Sequence, residues 1–139
     1  MPKEALIRGL NEDLSAELGT VARYLYQSSK SFGPGGAEIR QLLTQEVPDE
    51  LRHAAFLMDV IVDMGGEPTT TPLEFNKPER LEAMVEMDLG MEMQDVENYK
   101  RRAQQAEEIG LVELKVRLEE MAADEARHAR ELRRLLKGM

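Results

Sequence analysis

At 139 residues, with 42% apolar and only 4% aromatic side chains, the chain has room for one folded domain with an aliphatic, methionine-containing helical interior. A net charge of −9 argues against a nucleic-acid-binding body, and the absence of cysteine excludes disulfides, thiolate metal sites and thiol nucleophiles. The opening MPKEALIRGL is too poor in apolar residues for a signal peptide, and no apolar run approaches membrane-spanning length, so a cytoplasmic location is expected.

Glycine and proline punctuate the chain at 31–36 (SFGPGG), at 65–78 (GGEPTTTPLEFNKP) and at Gly110. The segments between them are rich in Ala, Leu, Glu, Met and Arg, and the spacing predicts four helices of about 28 residues each. The first carries a stripe of Leu10, Leu14, Glu17, Val21 and Tyr24, in steps of three and four. The second carries Ile39, Leu43, Glu46, Glu50, His53, Leu57, Val60 and Met64. Pro48 interrupts it, and a kink or bulge is expected there because proline removes a backbone hydrogen bond. The third helix is expected to start with Asn76 as N-cap and Pro78 in its first turn, and its stripe is Val85, Leu89, Glu92, Val96, Tyr99 and Ala103. The fourth reads Leu111, Leu114, Leu118, Met121, Glu125, His128, Leu132 and Leu135.

Stripes of this period face the inside of a helix bundle. The short links make helices one and two, and three and four, antiparallel hairpins. The connection at 65–78 is long enough to cross the length of a bundle. The expected fold is an all-α four-helix bundle of two hairpins and a long crossover, forming a single domain over 1–139.

The two halves are copies. Shifted by 75 positions without a gap, Asp13 meets Asp88, Glu17 meets Glu92, Tyr24 meets Tyr99, Asp49 meets Asp124, Glu50 meets Glu125, Arg52 meets Arg127 and His53 meets His128. The chain has two histidines, and both fall in this repeat as Glu-x-x-His, within DELRHA and DEARHA. The shift also selects among the glutamates. Glu12 would meet Met87, Glu86 would meet Asn11 and Glu97 would meet Ala22. On the first and third helices only Glu17 and Glu92 lie on an apolar stripe and map onto each other.

Glu17, Glu50, His53, Glu92, Glu125 and His128 are therefore the candidate site. Residues three apart share a helix face, so Glu50 and His53 can reach one cluster of ions, as can Glu125 and His128. Four carboxylates and two imidazoles are donors suited to iron or manganese. Without cations, four carboxylates in a bundle core would repel one another and cost several kcal/mol per buried ion. Two divalent ions would cancel the four charges.

NEDLSAELGTVARYLYQ, DELRHA, MDLGMEMQDVENYKRRA and ADEARHA together resemble the ferritin-like proteins, and bacterioferritin most closely, over nearly the whole chain. Those di-iron proteins use one Glu from each of two helices and a Glu-x-x-His from each of the other two. The resemblance implies that Glu50 and Glu125 bridge two iron ions. Glu17 with His53 would complete one site, and Glu92 with His128 the other. It implies hydrogen bonds to the carboxylates from Tyr24 and Tyr99, and imidazoles oriented by Asp49 and Asp124, each that of the opposite hairpin.

Two departures bear on function. The family's haem-ligating methionine position is Leu51, so no haem is expected by that route. The sequence stops at Met139 without the short fifth helix of the 24-subunit ferritins, which counts against the storage cage. Met84, Met87, Met91 and Met93 are assigned to packing and helix surface. Arg127, Arg130, Arg133, Arg134 and Lys137 suit the negative end of the last helix, and nucleic acid is not an expected partner of this basic stretch.

The activity expected is oxidation of Fe(II) by O2 or H2O2, contributing to iron storage or detoxification, in a homo-oligomer. A rubrerythrin-like peroxidase with a separate electron donor, or a di-manganese catalase, is the alternative on the same six residues.

Overall fold

The computed structural model describes residues 1–139. Four helices make up the molecule: α1 (Pro2–Ser29), α2 (Gly33–Asp63), α3 (Leu81–Glu108) and α4 (Val112–Lys137). None is long and apolar enough to cross a membrane.

The buried apolar side chains fall into two clusters, and their membership gives the direction of each helix. The larger holds Leu6 and Leu10 from the start of α1, Leu57 and Ile61 from the end of α2, Ala103 and Ala106 from the end of α3, and Leu114 and Leu118 from the start of α4. The smaller holds Tyr24, Ile39, Leu43, Val85 and Leu132, from the opposite helix ends. Thus α1 and α4 run one way, and α2 and α3 the other. Each hairpin is antiparallel, while α2 and α3 are parallel, so the chain between them must travel the full length of the bundle.

That crossover is tied to α1 along its path. Asn11 bonds Glu67 and Thr69, Ser15 bonds Thr71 and Leu73, and the rings of Tyr26 and Phe75 pack 5.9 Å apart. At Gly19 a side chain would put its Cβ 2.6 Å from the Leu73 carbonyl oxygen, so glycine is what lets the strap lie against the helix. The α3–α4 turn is made at Gly110, whose φ of 77° is readily adopted only by glycine.

Three local expectations need correction. The Gly33–Gly36 part of SFGPGG is the first turn of α2 rather than loop, with Pro34 where an unbonded backbone nitrogen is tolerated. Asn76 does not cap α3, which starts at Leu81 behind an extended Arg80. Pro78 disfavours helical backbone at Lys77, and the Lys77 ammonium lies over the Tyr26 and Phe75 rings, holding this stretch in the crossover. No bulge forms at Pro48, because α2 is continuous α-helix through it. Pro48 and Thr44 are both exposed, so the Thr44 carbonyl that loses its partner can turn to water.

Candidate metal centre

Between the two apolar clusters each helix contributes polar side chains to one buried layer. Glu17 lies on α1 between Leu14 and Tyr24, and Glu92 on α3 between Val85 and Tyr99. Glu50 and His53 form one turn of α2, and Glu125 and His128 one turn of α4. All six are buried, with His53 the most exposed at 4%.

They form two overlapping groups, Glu17–Glu50–His53–Glu125 and Glu50–Glu92–Glu125–His128, each with ligand atoms within 4.8 Å of one another. Glu50 and Glu125 belong to both. Each imidazole turns Nδ1 towards the shared glutamate of the other hairpin. His53 Nδ1 lies 3.3 Å from Glu125 and 3.7 Å from Glu17, and His128 Nδ1 lies 2.9 Å from Glu50 and 3.8 Å from Glu92.

A surrounding set of polar side chains fixes these six. The Tyr24 hydroxyl donates to Glu92 at 2.5 Å and the Tyr99 hydroxyl to Glu17 at 2.6 Å. Asp124 lies 2.8 Å from His53 Nε2, and Asp49 lies 3.0 Å from His128 Nε2, each pair spanning the two hairpins. An Nε2–H donated to the aspartate leaves the Nδ1 lone pair facing the carboxylates. Leu51 is 52% exposed and points away from this layer.

Burial and mutual repulsion set the electrostatics. Burial pushes the Glu17 carboxyl up to about 8, partly offset by its close approach to Glu50 and by the Tyr99 hydrogen bond. Glu50 and Glu125 are raised well above the carboxylate range, by burial first and then by the charge of neighbouring glutamates. For Glu92 burial also acts upward, but its close contacts with His128 and Glu125 and the charge of His128 outweigh it, and its pKa is lowered. His128 is pushed up to about 11, since contacts with Glu46, Glu50 and Glu92 overcome its burial. Metal-free, the layer holds protons in place of cations.

Further buried polar side chains lie beside these six. Glu46 is buried with its carboxylate 2.5 Å from His128 Nε2. It sits on the apolar stripe of α2, but the residue 75 positions on is Met121, so the repeat filter discards it. Asp13 and Asp88 are repeat mates, and each pairs with a buried arginine across the α1–α3 interface. Arg102 reaches Asp13 at 3.1 Å, and Arg23 reaches Asp88 at 2.8 Å. The arginines are not repeat mates of each other, so no pattern exposed them. Asp95 is also buried beside the layer, at 8% exposure.

The ferritin-like domain model matches residues 7–139. The chain belongs to the ferritin-like family. A ferritin-like di-iron-carboxylate protein from Bacillus anthracis is 35% identical, covering 98% of both chains, with a TM-score of 0.95. Mycobacterium tuberculosis bacterioferritin, BfrA, is 28% identical over 97% of this chain and 86% of its own, with a TM-score of 0.84. Desulfovibrio desulfuricans bacterioferritin shares the fold at 23% identity, covering 98% of this chain and 80% of its own, with a TM-score of 0.86. A comparison with curated proteins found no match.

The ferritin-like chain thus carries a buried carboxylate–histidine cluster that is a candidate metal site. The donors suit divalent cations on one specific count. Eight of their atoms are buried without a hydrogen-bond partner: one oxygen each of Glu17 and Glu92, both oxygens of Glu50 and Glu125, and Nδ1 of both histidines. Leaving a buried polar atom unpaired costs about 1–3 kcal/mol, so eight in one layer call for a ligand common to all.

Proposed function

We propose that the chain oxidises Fe(II) with O2 or H2O2 at a centre holding two iron ions, in the service of iron storage or detoxification. The observation that carries this is the set of eight unpaired donor atoms, arranged in two groups that share Glu50 and Glu125. The unpaired oxygens differ between the two kinds of glutamate. Glu17 and Glu92 each have one oxygen engaged by a tyrosine and one free, as end ligands require. Glu50 and Glu125 have both oxygens free, so each could serve both ions.

Two ions oxidised together supply two electrons, which with two protons convert O2 to H2O2 or H2O2 to two waters. The residues do the rest. The four carboxylates balance the charge of two divalent ions, and Asp49 and Asp124 hold the imidazole rings at fixed orientation. Carboxyls with raised pKa, Glu17 among them, give up protons as cations enter and stand within reach of the oxidant as it gains charge. The apolar clusters on either side keep bulk water out of the layer. Manganese fits the same donors. We further propose a homo-oligomer, which would cover exposed apolar side chains such as Phe32, Val62 and Val112.

The test is the rate of Fe(II) oxidation by the wild type and by Glu17→Ala and His128→Ala. Both substitutions should abolish rapid oxidation while the helical circular dichroism is retained. Unchanged kinetics in either would overturn the assignment. Sedimentation measures the oligomer, and a monomer at all concentrations would refute that part.

A further inference from the structure

The turn between α1 and α2 ends on Phe32, which takes the N-cap position of α2 in extended conformation and makes no capping bond. Helix N-caps favour Ser, Thr, Asp, Asn or Gly, and a phenylalanine ring can accept nothing from the free N–H groups there. The ring is also 76% exposed. The repeat does not demand it, since its mate in the α3–α4 turn is Glu107. Phe32 thus serves neither the helix end nor the core. A large ring held out at the tip of a bundle has the properties of an anchor for another surface.

The opposite end of the bundle carries a recess for such a ring. A pocket of about 580 Å³ opens there, with Met64, Ile109 and Leu111 in its wall and Glu4 and Asp63 beside them. Met64 and Ile109 pack against the larger apolar cluster, so the pocket opens onto the edge of the core. Val112, 70% exposed, extends the apolar surface next to Leu111. The two ends also differ in charge. Exposed Asp63, Glu107, Glu108 and Glu113 lie at the pocket end, against Lys3. Exposed Lys30, Arg133, Arg134 and Lys137 lie at the Phe32 end, against Glu38 and Glu79. A second copy of the chain therefore supplies both the ring for the pocket and the cations for its acidic surroundings.

We propose that the Phe32 ring of one copy inserts into the pocket formed by Met64, Ile109 and Leu111 of a second copy, basic end against acidic end. Anchor and pocket lie at opposite ends, so the contact is head-to-tail. Each copy gives its ring to one neighbour and its pocket to another. This contact rests on the homo-oligomer reading above and is independent of the metal centre.

Sedimentation velocity of the full-length chain tests it, with Phe32→Ser and Leu111→Arg. Serine is a favoured N-cap and Leu111 is exposed, so both variants should keep their helical circular dichroism. Each alone should sediment as a smaller particle than the wild type at equal concentration. Mixed, they should form a heavier species containing both, because one retains the pocket and the other retains the ring. Variants as large as the wild type would overturn the contact and leave the oligomer standing. Smaller variants whose mixture forms no joint species would overturn the pairing of ring with pocket. A wild type that stays monomeric at every concentration would overturn the contact and the oligomer together.

Discussion

The Tyr99 hydroxyl donates its hydrogen bond to Glu17 across the bundle, at 2.6 Å, and not to Glu92 two turns before it on the same helix. Tyr24 makes the reciprocal bond to Glu92, so each tyrosine fixes the glutamate of the other hairpin. The pairing links the halves through the layer that neither could bury alone. Tyr99→Phe should lower metal-free stability by about 1–3 kcal/mol, because a second Glu17 oxygen is left buried without a partner. Urea unfolding of metal-free protein measures it, and an unchanged midpoint would contradict the assigned bond.

Metal-free stability should fall as pH rises from about 5 to 8. Glu17 has a folded-state pKa near 8 against an ordinary value of 4.5, so the folded protein binds the extra proton. Its contribution is complete below 4.5 and lost as pH rises through 8. His128, raised from 6.5 to about 11, acts in the same direction above pH 6.5, and Asp13 and Asp88, raised to about 6, act in it below. Glu92 has the opposite sign, but its lowered pKa confines the effect to pH below 4.5. Thermal melts at pH 5.5 and 8.0 should show the lower midpoint at pH 8.0. Adding Co(II) should remove the difference at high pH, where the donors are free of protons. A metal-free midpoint that rises with pH would contradict this electrostatic picture.

The two halves of the centre should differ in affinity, and Glu46 is the reason. His128 Nε2 faces both Glu46 and Asp49, whereas His53 Nε2 faces Asp124 alone. Glu46→Gln removes the additional charge and should weaken one of the two tight ions about 10-fold, as loss of a partner behind a histidine ligand does. Stepwise calorimetry with Co(II) reads this directly. Equal weakening of both ions, or of neither, would contradict the asymmetry.

Breaking the Arg23–Asp88 pair should be among the most damaging changes away from the centre. Both side chains are essentially inaccessible, so Asp88→Ala strands a buried guanidinium at a cost of about 3–5 kcal/mol. The double change Arg23→Met with Asp88→Leu should recover most of that loss. Denaturant titration checks both, and a single variant as stable as wild type would refute the pair's role.

What the sequence made legible was whatever the repeat encodes twice. The helices, the long crossover and the convergence of six ligand-type residues all follow from stripes and a 75-residue shift. Asp95, Arg23 and Arg102 were hidden because each occurs on one half only, and an unpaired acid or arginine in a highly charged chain carries no periodic signal, while Glu46 stood on the α2 stripe but was set aside because its repeat mate is Met121. Asn76 misled for a different reason. Its N-cap chemistry is real, but the crossover is held against α1 by Tyr26, Phe75 and Lys77, and tertiary contact outweighed the local preference. At Pro48 the expected bulge does not form, since α2 runs on as α-helix and exposure lets water take the freed carbonyl.

Aerobic titration of metal-free protein with Fe(II), followed by O2 consumption and iron counting on the gel-filtered product, tests the central claim most directly. The account predicts a fast oxidation phase that saturates at two irons per chain. Oxidation no faster than in buffer, with no iron retained, would contradict it.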